Sequence, residues 1–76
     1  MITQVKAREY FNKKYPDLKI IKTGIYKGSN YIFFAKEDPK KESFDDDLYI
    51  VGNDGQVMTY SPAADFENFQ NVRWFL

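Results

Sequence analysis

The chain contains neither cysteine nor histidine among its 76 residues. Without cysteine it cannot form disulfide bonds, thiolate metal sites or thiol redox centres. Without histidine or cysteine, the Ser-His-Asp and Cys-His mechanisms and the common zinc sites are also excluded. The four glycines fit neither G-x-G-x-x-G nor the Walker pattern of phosphate-binding loops. These absences favour a protein that is not an enzyme and that uses no cofactor.

The sequence also lacks long apolar runs. None approaches the roughly 20 residues that a membrane-spanning helix needs. The N-terminus has no basic segment followed by an apolar run, which a secretion signal would have. Together with the absence of cysteine, these features predict a cytoplasmic protein that has no membrane partner.

Aromatic residues, in contrast, are abundant: seven Phe, six Tyr and one Trp make up 18% of the chain. A chain of this length buries only about 60% of the surface that its unfolded form exposes. Each buried aromatic side chain removes about 150–250 Å² from water, so these residues can supply a core that would otherwise be thin. We therefore predict a single folded domain spanning residues 1–76.

Positive and negative charges are unevenly distributed along the sequence. Residues 1–41 contain ten Lys or Arg and four Asp or Glu, whereas residues 42–76 contain one Arg and seven Asp or Glu. Two interpretations are open. Either the two halves interleave in three dimensions and the asymmetry disappears, or the protein has a basic face and an acidic face.

The first half of the chain predicts one helix and two strands. Thr3 is a suitable N-cap for a helix that runs to about Tyr15, and Pro16 ends it. A β-branched run over 18–26 and an apolar run over 31–36 predict strands, with a turn between them. The second run is apolar on both faces of the strand that it would form. It is typical of a central strand, covered on both sides or covered on one and used for binding on the other.

The second half predicts a long polar loop over 37–47, two strands over 48–52 and 56–60, and a helix. Asn53-Asp54-Gly55 suits the tight turn of a hairpin because these residue types tolerate positive φ. Ser61-Pro62 predicts a helix start, with Ala63, Phe66 and Phe69 as its buried stripe. The predicted fold is α+β in the order α-β-β-β-β-α. It is a four-stranded antiparallel meander with an N-terminal helix and a short C-terminal helix packed on it.

The segment "DDLYIVGNDGQVMTYSPAADFENF", preceded by a helix, a Tyr-Pro stop and two strands, resembles a group of known sequences. These are small uncharacterised phage and mobile-element proteins of Gram-positive bacteria. More distantly, the hairpin is similar to that of the YrhB-like immunity proteins and PepSY-like modules. The resemblance in sequence covers about the last thirty residues. In the first half of the chain, only the order of the secondary-structure elements is similar. It implies a non-catalytic protein that binds another protein.

The acidic loop is the first candidate binding site. An aromatic side chain flanked by carboxylates can anchor in a groove on a partner protein with a basic surface. The alternative is that Phe44 folds back onto its own loop. The preferred hypothesis is a protein-binding module that also uses a sheet face or edge, such as a stoichiometric inhibitor or anti-defence protein of a mobile element; an immunity protein is a further alternative. The candidate partner-binding residues are Glu42, Phe44, Asp45, Asp46 and Asp47.

Nucleic acid is the alternative partner, because lysines and aromatic residues interleave in the first half. Sheets that bind single strands stack bases on aromatic rings and hold phosphates with cations. Against this, the RNP signature is absent and arginine, the usual base reader, is scarce. Both a monomer and a homodimer are compatible with the sequence. The candidate nucleic-acid-binding residues are Lys22, Lys27, Tyr31 and Lys36.

A metal site is not predicted. Asp45–Asp47 could offer oxygen ligands to Mg²⁺ or Ca²⁺, and the nearest further ligands are Asn53 and Asp54. An extended strand over 48–52 would separate the two groups by about 16–17 Å, at roughly 3.3 Å per residue. One ion cannot bind both groups.

Overall fold

The computed structural model describes residues 2–27, 30–37 and 48–75. The strands form one antiparallel sheet in the order β4-β3-β2-β1-β5. This arrangement confirms the predicted α+β fold with an N-terminal helix, a meander and a short C-terminal helix. The elements are α1 Gln4–Lys14, β1 Lys19–Tyr26, β2 Asn30–Lys36, β3 Leu48–Val51, β4 Val57–Tyr60, a 3₁₀ turn Pro62–Ala64, α2 Phe66–Phe69 and β5 Arg73–Phe75.

Helix α1 begins and ends where the sequence predicts. The Thr3 side-chain oxygen accepts a hydrogen bond from the Lys6 backbone N–H at 3.2 Å, and the helix ends before Pro16. Ala7 and Phe11 are fully buried and lie one turn apart on the face that contacts the sheet. The Phe11 ring packs against three other rings with centroids 5.3–5.6 Å away, those of Tyr15, Phe33 and Tyr49.

Strand β2 lies in the middle of the sheet, as its apolar composition predicts. Phe33 and Ala35 pack into the core beneath α1, whereas Ile32 and Phe34 pack into a second core on the opposite face. Ile32, Phe33 and Ala35 have no exposed surface. The sheet therefore separates two small cores, one covered by α1 and one reached by Phe69 and Val72 of the C-terminal segment.

The sheet has one strand more than the four predicted. Residues Arg73–Phe75 form β5, which pairs antiparallel with β1, Trp74 lying opposite Gly24. Gly24 permits this close pairing, because a Cβ atom there would lie 3.0 Å from the Arg73 carbonyl oxygen and 3.1 Å from Ile32 Cγ2. A three-residue strand is too short to show an alternating pattern, so only its apolar character was visible in the sequence.

The C-terminal helix differs from its prediction. Ser61 makes no side-chain capping hydrogen bond, and Asp65, with φ −142° and ψ 44°, separates the 3₁₀ turn from the single turn of α2. The predicted buried stripe was wrong: Ala63 is exposed and Phe66 is 62% exposed, so Phe69 alone of the three packs into a core. The break at Asp65 changes which side chains of the following turn face the sheet. Within the described ranges, no helix is long and apolar enough to cross a membrane.

Candidate functional site

The residues of the predicted acidic site lie outside the described part of the chain; they are Glu42, Phe44, Asp45, Asp46 and Asp47. The structure does show where the chain continues after them. Strand β3 starts at Leu48, which pairs with Phe34 of β2 on one side and with Tyr60 of β4 on the other. The acidic segment is therefore joined to the sheet directly beside the last residue of β4.

The four residues predicted to bind nucleic acid are not brought together. Lys22 pairs with Phe34, and Lys36 follows Phe34 by two positions, so both lie on the face opposite α1. Tyr31 lies on the α1 face, packed against that core. Lys27 follows the far end of β1, about 16 Å along the strand from Lys22 at roughly 3.3 Å per residue.

Lys22 and Lys36 do belong to a cluster, which we call the lysine patch: Lys19, Lys22, Phe34 and Lys36. The Lys36 ammonium lies 5.2 Å from the centroid of the Phe34 ring, and Lys19 pairs with Lys36 across β1 and β2. In a regular strand, residues three apart point to opposite faces. A register shift between Ile20 and Lys22 places Lys19 and Lys22 on the same face. Sequence periodicity could not reveal this bulge, and the prediction therefore missed Lys19 and Phe34.

Strand β4 forms one edge of the sheet. The Gly52 N–H donates to the Gln56 carbonyl at 2.9 Å, so Gly52 and Gln56 form a hydrogen-bonded pair. Because hydrogen-bonded and non-hydrogen-bonded pairs alternate along an antiparallel ladder, the backbone groups of Met58 face β3. The backbone groups of Val57 and Thr59 face away from β3. The Lys14 ammonium donates to the outward Val57 carbonyl at 2.8 Å, in agreement with this pattern. The N–H and C=O of Thr59 thus point outward beside the Met58 side chain, which is 56% exposed.

The carboxylate of Asp65 accepts hydrogen bonds from three side chains. The hydroxyls of Tyr26 and Tyr60 both donate to Oδ2, the latter at 3.0 Å, and Asn68 Nδ2 donates to Oδ1 at 2.6 Å. The hydrogen bond from Tyr26, followed by those from Asn68 and Tyr60 and by the nearby charge of Lys27, lowers the pKa of Asp65. We call these four hydrogen-bonded residues the Asp65 cluster.

The two tyrosines of the Asp65 cluster shift in the opposite direction. The hydrogen bond to Asp65 raises the pKa of Tyr26, and burial together with the same carboxylate raises the pKa of Tyr60. At neutral pH the carboxylate is therefore ionised and both hydroxyls are protonated. A carboxylate with a lowered pKa is a poor general base. The cluster is suited to joining the C-terminal segment to the sheet.

No protein-family model, curated protein or solved structure matches this chain. In the described ranges, no group of three or more acidic side chains converges on a position for a metal ion. Among the described residues, the β4 edge and the lysine patch are the two candidate binding surfaces.

Proposed function

We propose that the chain is a small protein-binding module, and that the edge of β4 receives an extended segment of the partner. One observation carries this proposal: Thr59 directs its N–H and C=O outward beside the exposed Met58 side chain. In β-strand addition, main-chain hydrogen bonds at a free edge provide affinity, and alternate side chains provide specificity.

The edge has the properties that such pairing needs. Natural proteins protect free edges with charged side chains, prolines or bulges. In the described part of β4, Lys14 blocks the Val57 carbonyl and leaves the Thr59 position open. Met58 is unbranched and polarisable, and such side chains adapt to differently shaped partners. The opposite edge of the sheet is formed by the three residues of β5.

The acidic residues predicted from the sequence would add negative charge to such an interface. Because β3 begins at Leu48 beside Tyr60, the segment with Phe44 and Asp45–Asp47 is joined to the sheet at the end of β4. A partner would then carry basic residues next to its extended segment. Such a module acts by occupying a surface, so an inhibitory, anti-defence or immunity role requires no active site. The resemblance of about the last thirty residues to phage and mobile-element proteins supports such a role by analogy.

A cross-linking experiment tests the β4 edge. A photo-reactive benzophenone side chain at Met58 should form one defined protein adduct in a lysate of the organism that encodes the chain. Adding Thr59→Pro removes the outward N–H without removing a bond to β3, and the adduct should disappear. The same probe at the exposed Lys13 on α1 is the matched control and should give no adduct. An adduct that survives Thr59→Pro in a folded protein would rule out strand addition at β4.

A separate variant tests the acidic residues. Replacing Asp45, Asp46 and Asp47 with Asn should weaken capture of the cross-linked partner in a pull-down without unfolding the domain. Complete retention of the partner would reject the acidic segment as part of the interface and would leave the β4 edge as the binding surface.

The lysine patch supports single-stranded nucleic acid as a second candidate partner. The specific observation is that three lysines share a face with the half-buried ring of Phe34. Lysines hold phosphates, and a partly exposed ring can stack on a base. If all three lysines contact phosphates, the log–log dependence of affinity on salt should have a slope of about −2 for a single strand.

Titration of labelled single-stranded DNA and RNA at low and moderate salt distinguishes the two candidates. Saturable binding that is lost when Lys19, Lys22 and Lys36 are replaced with Gln would favour nucleic acid. Replacing Lys6, Arg8 and Lys13 on α1 with Gln removes the same charge and is the control. Absence of binding, or equal losses in the two triple variants, would reject the lysine patch as a nucleic-acid site.

A further inference from the structure

A cavity of about 340 Å³ lies where the end of β1, the turn of α2 and the start of β5 meet, lined by Ile25, Lys27, Asn68, Asn71 and Arg73. Its size is at the lower end of the range for small-molecule sites, about 300–1,000 Å³. We propose that this cavity binds a small phosphate ester that carries hydroxyl groups, with Lys27 and Arg73 holding the phosphate. The proposal is independent of the β4 edge and goes beyond the protein-binding function.

The two cations of the cavity are available to an external anion. Lysine and arginine side chains are positively charged at neutral pH, and arginine matches the oxygens of a phosphate with two parallel donors. The ion pair found among the described residues joins Lys6 to Glu9 on α1, so neither Lys27 nor Arg73 pairs there with a carboxylate.

Asp65 is the carboxylate that lies close to Lys27, and it is already occupied. Its two oxygens accept hydrogen bonds from Tyr26, Tyr60 and Asn68. Its charge reduces the positive potential of the cavity without closing it. The two cations of the cavity outnumber this one carboxylate, so the cavity keeps a net positive charge, which favours an anion such as a phosphate.

The two amides of the cavity have fixed orientations. Asn68 Nδ2 donates to Asp65 Oδ1 at 2.6 Å, and Asn71 Nδ2 donates to the Glu67 carbonyl at 3.0 Å. Each amide group retains a carbonyl oxygen and a second N–H. A carbonyl oxygen accepts a hydrogen bond from a hydroxyl group, whereas an ionised phosphate oxygen has no proton to donate to it. The amides therefore suit the hydroxyl-bearing part of the ligand.

The backbone of Lys27 gives an independent reason to assign its side chain a role. Its φ of 47° lies in the left-handed region, where glycine is the favoured residue. A lysine at this position is therefore not explained by the turn. Its ammonium lies 5.6 Å from the centroid of the Tyr26 ring, and Tyr26 is itself held by Asp65. The Lys27 side chain therefore packs on the Tyr26 ring and also contributes to the lining of the cavity.

An NMR titration of the ¹⁵N-labelled protein tests the site, with inorganic phosphate, ribose 5-phosphate and ribose as probes at constant ionic strength. Phosphate and ribose 5-phosphate should cause saturable shifts confined to the residues that line the cavity. Ribose 5-phosphate should bind at least tenfold more tightly than phosphate, and ribose alone should cause no shift. Equal affinity for the two phosphates would overturn the role of the amides and leave a site for the anion alone.

Three variants complete the test. Arg73→Gln should weaken binding of ribose 5-phosphate at least tenfold. Lys27→Gly should weaken it equally while the unfolding temperature stays the same or rises, because glycine relieves the left-handed backbone. Lys13→Gln, on the exposed surface of α1, is the control and should leave affinity unchanged. Shifts that never saturate, shifts centred on the lysine patch, or full affinity in either cavity variant would overturn the proposal.

Discussion

The ring of Tyr26 in β1 packs edge-to-face against the ring of Tyr60 in β4, with centroids 5.3 Å apart and an interplanar angle of 62°. Strands β2 and β3 lie between the two strands that carry these rings. Both hydroxyls donate to the carboxylate of Asp65. A single side chain of the C-terminal segment is thereby joined to two non-adjacent strands.

Tyr60→Phe should destabilise the domain by about 1–2 kcal/mol, because it removes a hydrogen bond to an ionised carboxylate and keeps the ring. Urea denaturation at pH 7 measures this loss. Tyr60→Leu should cost more, since it also removes the ring contacts with Tyr26 and Phe69. Unchanged stability of Tyr60→Phe would show that the hydrogen bond contributes nothing net.

Stability should depend on pH through Asp65. Its pKa is lower in the folded protein than in the unfolded chain, where an aspartate has a pKa of about 3.9. The contribution of Asp65 is therefore present above about pH 4 and is lost as the pH falls through the folded-state pKa. Asp65→Asn should be less stable at pH 7 and should lose less stability between pH 5 and pH 2. Parallel curves for the two proteins would contradict this assignment.

Gly55→Ala should destabilise the β3–β4 turn for two reasons. Gly55 has a φ of 85°, and a Cβ atom there would lie 2.9 Å from Cε1 of Tyr10 in α1. The left-handed backbone alone should cost about 1–2 kcal/mol, and displacement of the ring adds to it. In a Tyr10→Ala background the same substitution should cost less, as measured by thermal unfolding. Equal costs in both backgrounds would show that the ring moves freely.

Two phenylalanines allow a matched comparison of burial. Phe11→Ala should cost about 3–5 kcal/mol, because it empties a site enclosed by three rings. Phe66→Ala should change stability by less than about 0.5 kcal/mol, because the Phe66 side chain is 62% exposed. Chemical denaturation of both variants measures the difference. A large loss for Phe66→Ala would indicate that α2 packs differently from the structure described.

The sequence predicted most of the fold because its signals were local. The Thr3 cap, Pro16 and the Asn53-Asp54-Gly55 turn each specify backbone geometry through their own chemistry, and all were confirmed. Strand β5 and the break at Asp65 were missed, since both depend on partners distant in the chain. Gly24 makes room for β5, and Tyr26 and Tyr60 hold Asp65.

The candidate sites were less predictable for the same reason. The bulge between Ile20 and Lys22 places Lys19 and Lys22 on the same face of the sheet. The register of β1 and β2 places Phe34, and not Tyr31, beside them. The outward direction of the Thr59 backbone follows from the hydrogen-bond alternation of the hairpin, which sequence patterns do not encode. The predicted role of Phe44 and Asp45–Asp47 stays a prediction.

Hydrogen exchange at the Thr59 amide, measured by NMR in the free protein and in the purified partner complex, tests the proposed function most directly. We expect Thr59 to exchange rapidly when free and at least tenfold more slowly in the complex. The Met58 amide, already bonded to β3, should change little. A Thr59 amide that exchanges as rapidly in the complex as in the free protein would contradict partner binding at the β4 edge.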